Sequence, residues 1–314
     1  MFEQLMSLDA MSGVRNYLQT HRAFDSKNNW YDFLNKIVNK LMDNDMSERA
    51  ASVAFSLILA VFPTVIFLFT LIPFIPIDNL ENQIRAFFQR VLPSGTFDAV
   101  GATIRDIVSR PRGGVLSVGF LFALYSATSG MVALMNAFNS SHETHEQRSF
   151  LKTRLVAVAL TTALAVALFL AIAVLVVGGV VTSYLQQFGF FNNEFVVYLL
   201  NIGRYLLVFL VFVGVVAIIY RYGPDVDMKW AFVTPGGVTA SVLIVALTLG
   251  FSYYVSNFGS YNKVYGSIGT LIALMIWTNL ISLMLILGFE MNVSLYDLEG
   301  DKAPDVSEKK VENA

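Results

Sequence analysis

Six stretches of this chain, residues 50–77, 114–138, 155–181, 195–220, 235–254 and 268–291, are each at least twenty residues long and almost wholly apolar. A helix rising 1.5 Å per residue needs about 20 such residues to cross the ~30 Å hydrocarbon core of a bilayer. Six segments of that length in 314 residues exceed what one water-solvated core can bury. The composition agrees: 55% of the residues are hydrophobic and 14% charged, against about 25% charged in soluble domains. The expected fold is all-α, a polytopic bundle of six transmembrane helices.

The flanking regions divide the chain into residues 1–49, a transmembrane domain over 50–291, and a charged tail over 292–314 with the composition of a disordered segment. In the first, Trp30, Phe33, Leu34, Ile37, Val38, Leu41 and Met42 repeat at helical spacing, with Lys36 and Lys40 opposite. That pattern predicts an amphipathic helix, either lying in the interface plane or packed on the end of the bundle. Between the first two spans, residues 78–113 hold two shorter apolar repeats separated by Leu92-Pro93-Ser94-Gly95, which predicts an external helical hairpin.

Lys and Arg are distributed unevenly. With the N-terminus inside, the inner segments carry fourteen basic residues and the outer ones six, so both termini are expected in the cytoplasm. The Arg-rich 78–113 segment runs against that trend. A net charge of −2 and the lack of a basic cluster argue against nucleic-acid binding. With no cysteine, thiolate chemistry and Cys-ligated metals are excluded. His142-Glu143-Thr144-His145 spaces its histidines three apart rather than the four a zinc helix requires, and no phosphate-binding loop or serine elbow is present. No cofactor, metal or catalytic set is expected, and the chain does not read as an enzyme.

The spans are not uniformly apolar. At 100° per residue, Ser126, Ser129, Asn136 and Ser140 share one side of the second span. So do Ser52, Ser56, Pro63 and Thr70 in the first, Ser241, Thr248 and Ser252 in the fifth, and Asn279, Ser282 and Glu290 in the sixth. Such stripes either let helices pack closely or line a polar cavity that accepts a solute. Arg204, beside Asn201 in the fourth span, either snorkels to headgroups or binds an anion. Glu290 reads first as an interfacial carboxylate at the inner end of the last span. Pro63 predicts a kink in the first. Asn257, Tyr261, Asn262, Tyr265 and Gly266 crowd what reads as a short external loop, suited to headgroups or sugars or to an interfacial belt.

Several runs also carry a family resemblance. Ala54-Phe55-Ser56-Leu57-Ile58-Leu59-Ala60-Val61-Phe62-Pro63, Gly119-Phe120-Leu121-Phe122-Ala123-Leu124-Tyr125-Ser126-Ala127 and Tyr220-Arg221-Tyr222-Gly223-Pro224 with Trp230 and Pro235-Gly236 resemble the YihY/BrkB family. So do Tyr254–Gly269 and the closing Leu287-Gly288-Phe289-Glu290-Met291-Asn292, although the family commonly has Ala where Phe289 stands. The resemblance covers roughly residues 30–295. It implies a six-helix bacterial inner-membrane protein of envelope physiology, from a group once mislabelled ribonuclease BN. The function expected is the handling or transport of a lipid or small amphiphilic solute, the alternatives being a non-transporting scaffold or assembly factor and, last, an intramembrane enzyme. The partners expected are membrane lipids and such a solute, with self-association left open.

Overall fold

In the computed structural model, the described residues are 12–24, 29–42, 44–71, 113–141, 148–187, 194–225, 230–257 and 259–296. They form eight helices: α1 (Ser12–Thr20), α2 (Trp30–Met42), α3 (Asn44–Leu71), α4 (Gly113–Ser141), α5 (Phe150–Gln187), α6 (Glu194–Tyr222), α7 (Pro235–Asn257) and α8 (Gly259–Tyr296). The last six each contain an apolar window long enough to cross a bilayer. The proposed hairpin at 78–113 lies almost wholly outside the described residues, as do His142 and His145.

The six long helices close into a ring. Each packs on its neighbour in sequence, and α8 returns to pack along α3 while touching α4. Glycine sets the closest crossings. A Cβ on Gly236 of α7 would stand 2.1 Å from the Gly288 carbonyl oxygen of α8, and one on Gly130 of α4 would stand 2.4 Å from Leu57 Cδ2 of α3. Small residues allow the backbone approach that holds helices together in lipid, where no hydrophobic drive separates them from solvent.

Burial is lopsided. Buried side chains end at Ala60 in α3, Leu160 in α5 and Ile244 in α7, and begin at Ala123 in α4, Val213 in α6 and Ser282 in α8. The tight core of the described residues therefore occupies one half of the bundle, at the end where α3 begins and α8 finishes. We call this the N-terminal end. Elsewhere Leu168, Phe169, Val176 and Tyr198 are exposed, as side chains solvated by hydrocarbon are.

Helix α2 forms over the range its periodicity predicts, with Asn29 accepting the Asp32 N–H at 2.8 Å as an N-cap. Its apolar face is turned onto the bundle. Phe33 and Ile37 are buried in the same core as Phe289 and Leu295 of α8. The packed reading of this helix is the one the contacts support. α3 runs helical straight through Pro63.

Candidate functional site

The polar chemistry of the bundle collects at its N-terminal end. Glu290 is buried, 1% exposed, and two cations enclose it. Arg49 of α3 donates through Nη2 to Glu290 Oε1 at 3.1 Å, and Lys40 of α2 donates to Oε2. Reading Glu290 as a simple interfacial carboxylate is therefore corrected: a buried carboxylate persists as an ion only when paired and hydrogen-bonded. Arg49 also donates to the Ala137 carbonyl at 2.9 Å and to Ser141 Oγ at 2.7 Å. One ionic cluster thus ties α2, α3, α4 and α8. Lys40, which helical spacing alone turns toward solvent, belongs to it.

Beside this cluster the motif residues form a second knot. Asn292 accepts the Gly236 N–H at 2.9 Å and donates to Thr234 Oγ1 at 2.8 Å, while Thr234 caps α7 by accepting the Gly237 N–H. Proline at the first helical turn suits that start. Tyr220 donates its hydroxyl to the Leu285 carbonyl at 2.6 Å. Phe289, the departure from the family pattern, fills the centre: its ring stacks on Phe138 at 4.4 Å and meets Tyr220 and Trp230 edge-on. Arg148 pairs with Asp225 at 2.8 Å and donates to the Gly223 and Pro224 carbonyls. The runs at 220–224, 230–236 and 287–292 thus lock this end, whereas Tyr254–Asn257 and Gly259–Gly269 lie at the opposite one, where α7 finishes and α8 begins.

Two of the four polar stripes meet. Ser52 and Ser56 of α3 and Ser129, Asn136 and Ser140 of α4 line a cavity of about 370 Å³, with Arg49 at its head. By helical spacing these α4 residues lie opposite Leu134, Met135 and Phe138, which are buried in the core. The cavity is therefore a groove on the outer flank of the bundle, and Asn136 stands exposed in it. The hydroxyls of Ser56, Ser129 and Ser140 each donate to a carbonyl one turn back, which leaves their oxygen lone pairs toward the groove. A further cation flanks it. Arg154 of α5 donates through Nη1 to Ser129 Oγ at 3.1 Å and to the Tyr125 carbonyl and Thr128 Oγ1 at 3.3 Å. It stacks over the Tyr125 ring at 4.1 Å. Among the described residues its partners are neutral, so its charge is not cancelled locally.

The remaining expected residues lie elsewhere. Ser126 is half-buried and outside the groove lining. Ser282 is fully buried and donates to the Thr278 carbonyl, a packing role. Asn279 is half-buried, with its Oδ1 lacking a hydrogen-bond partner. Ser241 is buried against the Gly237 carbonyl, so the fifth stripe does not join the groove. Arg204 lies along Gly178 and Gly179 of α5, where a Cβ on Gly178 would stand 2.8 Å from its Cδ, and its guanidinium faces Tyr205. Asn201 is half-buried on the same helix. Neither is near the α3–α4 groove. Most of the segment read as a loop is helix: α7 runs to Asn257 and α8 begins at Gly259, so Tyr261, Asn262, Tyr265 and Gly266 sit in the first turns of α8. Glycines spaced among helix-compatible residues mimic turn chemistry without breaking the helix.

Arg49 and Arg154 were missed because each sits at the edge of an apolar run, where a basic residue is expected to snorkel. Among the described residues, no group of three or more His, Asp or Glu side chains is placed to hold a metal ion.

Six apolar helices in a ring, with a polar groove on the flank, define a multi-pass helical membrane protein. The family model described as Virulence factor BrkB matches residues 37–312, and the chain belongs to that family. It is 30% identical over 273 residues to the ribonuclease-like protein YfkH of Bacillus subtilis (strain 168), covering 87% of this chain and 98% of that protein. It is 27% identical to a UPF0761 membrane protein of Tolumonas auensis, over 57% of each chain. A UPF0761 membrane protein of Stenotrophomonas maltophilia (strain R551-3) is 24% identical over 82% of this chain and 59% of its own length. The chain thus spans little more than half of the latter two relatives. No solved structure matches.

Proposed function

We propose that this protein handles an anionic amphiphile at the inner membrane, taking the polar head of a lipid or lipid-like solute into the α3–α4 groove. The observation that carries this reading is the groove itself. Ser52, Ser56, Ser129, Asn136 and Ser140 face outward from the bundle within spanning helices. Acyl chains cannot satisfy such groups, so they call for water or a headgroup. Ser129 lies about 18 Å along α4 from Ser141 at 1.5 Å per residue, so the groove carries polar chemistry roughly halfway across the hydrocarbon. Arg154, held by neutral partners, supplies a cation toward its inner part and Arg49 closes the head. The excess of Lys and Arg at the N-terminal end supports a cytoplasmic location for that end and for both termini.

The reading is tested in proteoliposomes carrying fluorescently labelled phosphatidylglycerol, with externally added dithionite reporting the fraction of label reachable from outside. The expected result is quenching well beyond the half found in protein-free vesicles, lost when Asn136→Leu is combined with Ser129→Ala, and kept in Val166→Ala on the lipid-facing side of α5. Equal quenching with and without the wild-type protein, or an unaffected groove variant, contradicts the proposal.

A further inference from the structure

Arg204 of α6 stands apart from the ionic networks of the N-terminal end. It lies about 26 Å along the helix from Arg221 at 1.5 Å per residue. With Arg221 at one face of a ~30 Å hydrocarbon layer, Arg204 is therefore close to the other. Exposed tyrosines mark that second face: Tyr198 and Tyr205 on α6, Tyr184 on α5 and Tyr253 on α7, an aromatic belt of the kind that sits at headgroup level.

The side chain is held in a slot. Gly178 and Gly179 of α5 leave room for it: a Cβ on Gly178 would stand 2.8 Å from Arg204 Cδ, and one on Gly179 would stand 3.2 Å from Nη1. The slot places the charge but does not satisfy it. The carbonyls of Gly178 and Gly179 accept from the hydroxyls of Thr182 at 2.7 Å and Ser183 at 3.0 Å. Arg204 Nε is sealed from solvent with no hydrogen-bond partner. The guanidinium faces the Tyr205 ring at 5.2 Å, a contact that uses none of its five N–H donors. Among the described side chains the acids Asp32, Asp45, Glu48, Asp225 and Glu290 all belong to the N-terminal end, out of reach of Arg204. An ionised guanidinium at this depth calls for an anion.

We propose that the Arg204 slot binds the phosphate of one phospholipid from the leaflet opposite the N-terminal end. The guanidinium fork donates to phosphate oxygens, a match of shape as well as charge. Asn201, half-buried one turn nearer the surface on the same side of α6, stands where a headgroup would pass. Val177, Val180, Val181 and Leu200 around the slot are exposed, so its surroundings are hydrocarbon. A lipid phosphate enters there attached to its acyl chains, whereas a soluble anion would have to shed its water without that help. The site lies on other helices than the α3–α4 groove and does not rest on the reading of that groove, because a lipid bound here stabilises the protein whether or not lipids are moved.

The test is native mass spectrometry of the full-length, delipidated protein titrated with dioleoyl phosphatidylglycerol, dioleoylglycerol or inorganic phosphate. Wild type should retain the first phosphatidylglycerol at least about tenfold more tightly than dioleoylglycerol, as charge-assisted hydrogen bonds to the phosphate require. Arg204→Gln should remove that preference and Arg204→Lys should keep part of it. Gly178→Leu, which keeps the charge but fills the slot, should weaken phosphatidylglycerol as Arg204→Gln does. In lipid-free detergent Arg204→Gln should hold the wild-type unfolding midpoint, since it breaks no hydrogen bond or ion pair among the described residues, and added phosphatidylglycerol should raise the midpoint of wild type alone. Equal retention of the two lipids, an unchanged preference in either variant, displacement of the lipid by millimolar phosphate, or a lowered lipid-free midpoint in Arg204→Gln would overturn the assignment. None of these results bears on the proteoliposome assay of Asn136 and Ser129.

Discussion

At the scale of single residues, Glu290 is the position most open to test. Its carboxylate is buried between Lys40 and Arg49, and removing one member of a buried ionic set strands the others in a low-dielectric site at a cost of about 3–5 kcal/mol. Glu290→Gln is expected to lose most of that, read as a lowered unfolding midpoint in detergent. A double-mutant cycle with Arg49→Met should show strong coupling, and additive effects would dissolve the cluster. Gly236 is the steric counterpart. Adding a methyl group there places carbon 2.1 Å from the Gly288 carbonyl oxygen and 2.4 Å from Asn292 Oδ1, so Gly236→Ala must pry α7 from α8 and lose at least about 2 kcal/mol. Gly119→Ala, with open space around it, should leave the same midpoint unchanged or raise it. What the sequence concealed at this scale was pairing. Helical spacing shows that Glu290 shares a face with Asn279, but nothing local tells that Lys40, 250 positions away, closes on it.

At the scale of elements, the apolar lengths and the amphipathic repeat of α2 were legible because hydrocarbon selects them directly. The partner of an amphipathic face is a tertiary fact, and Phe33 and Ile37 find protein. Phe33→Asp should therefore release α2: hydrogen exchange over residues 30–42 is expected to rise by an order of magnitude or more while α4 and α8 stay protected. If exchange there were unchanged, the helix would be held by something other than its apolar face. The polar stripes were legible as stripes, yet only α3 and α4 bring theirs together in the groove. In the fifth and sixth, Ser241 and Ser282 bond back into their own helices, while Glu290 of the sixth joins the ionic cluster with Lys40 and Arg49. A hydroxyl that bonds back into its own helix costs little to bury, so composition alone cannot separate a stripe that packs from one that lines a groove.

For the molecule as a whole, the organisation is asymmetric: an N-terminal end locked around Glu290, Asn292, Tyr220 and Phe289, and a remainder whose described side chains are largely exposed. The proposed function requires the outward groove between α3 and α4 to be wet or filled by headgroups rather than by acyl chains. The chain contains no cysteine, so single cysteines introduced at Asn136 and Ser129, and at lipid-facing Val166, can be challenged with a charged, water-soluble thiol reagent in native membranes. Asn136→Cys and Ser129→Cys are expected to react at least tenfold faster than Val166→Cys, from the side of the N-terminal end. Reaction at all three positions at the same slow rate would contradict a wet or headgroup-filled groove.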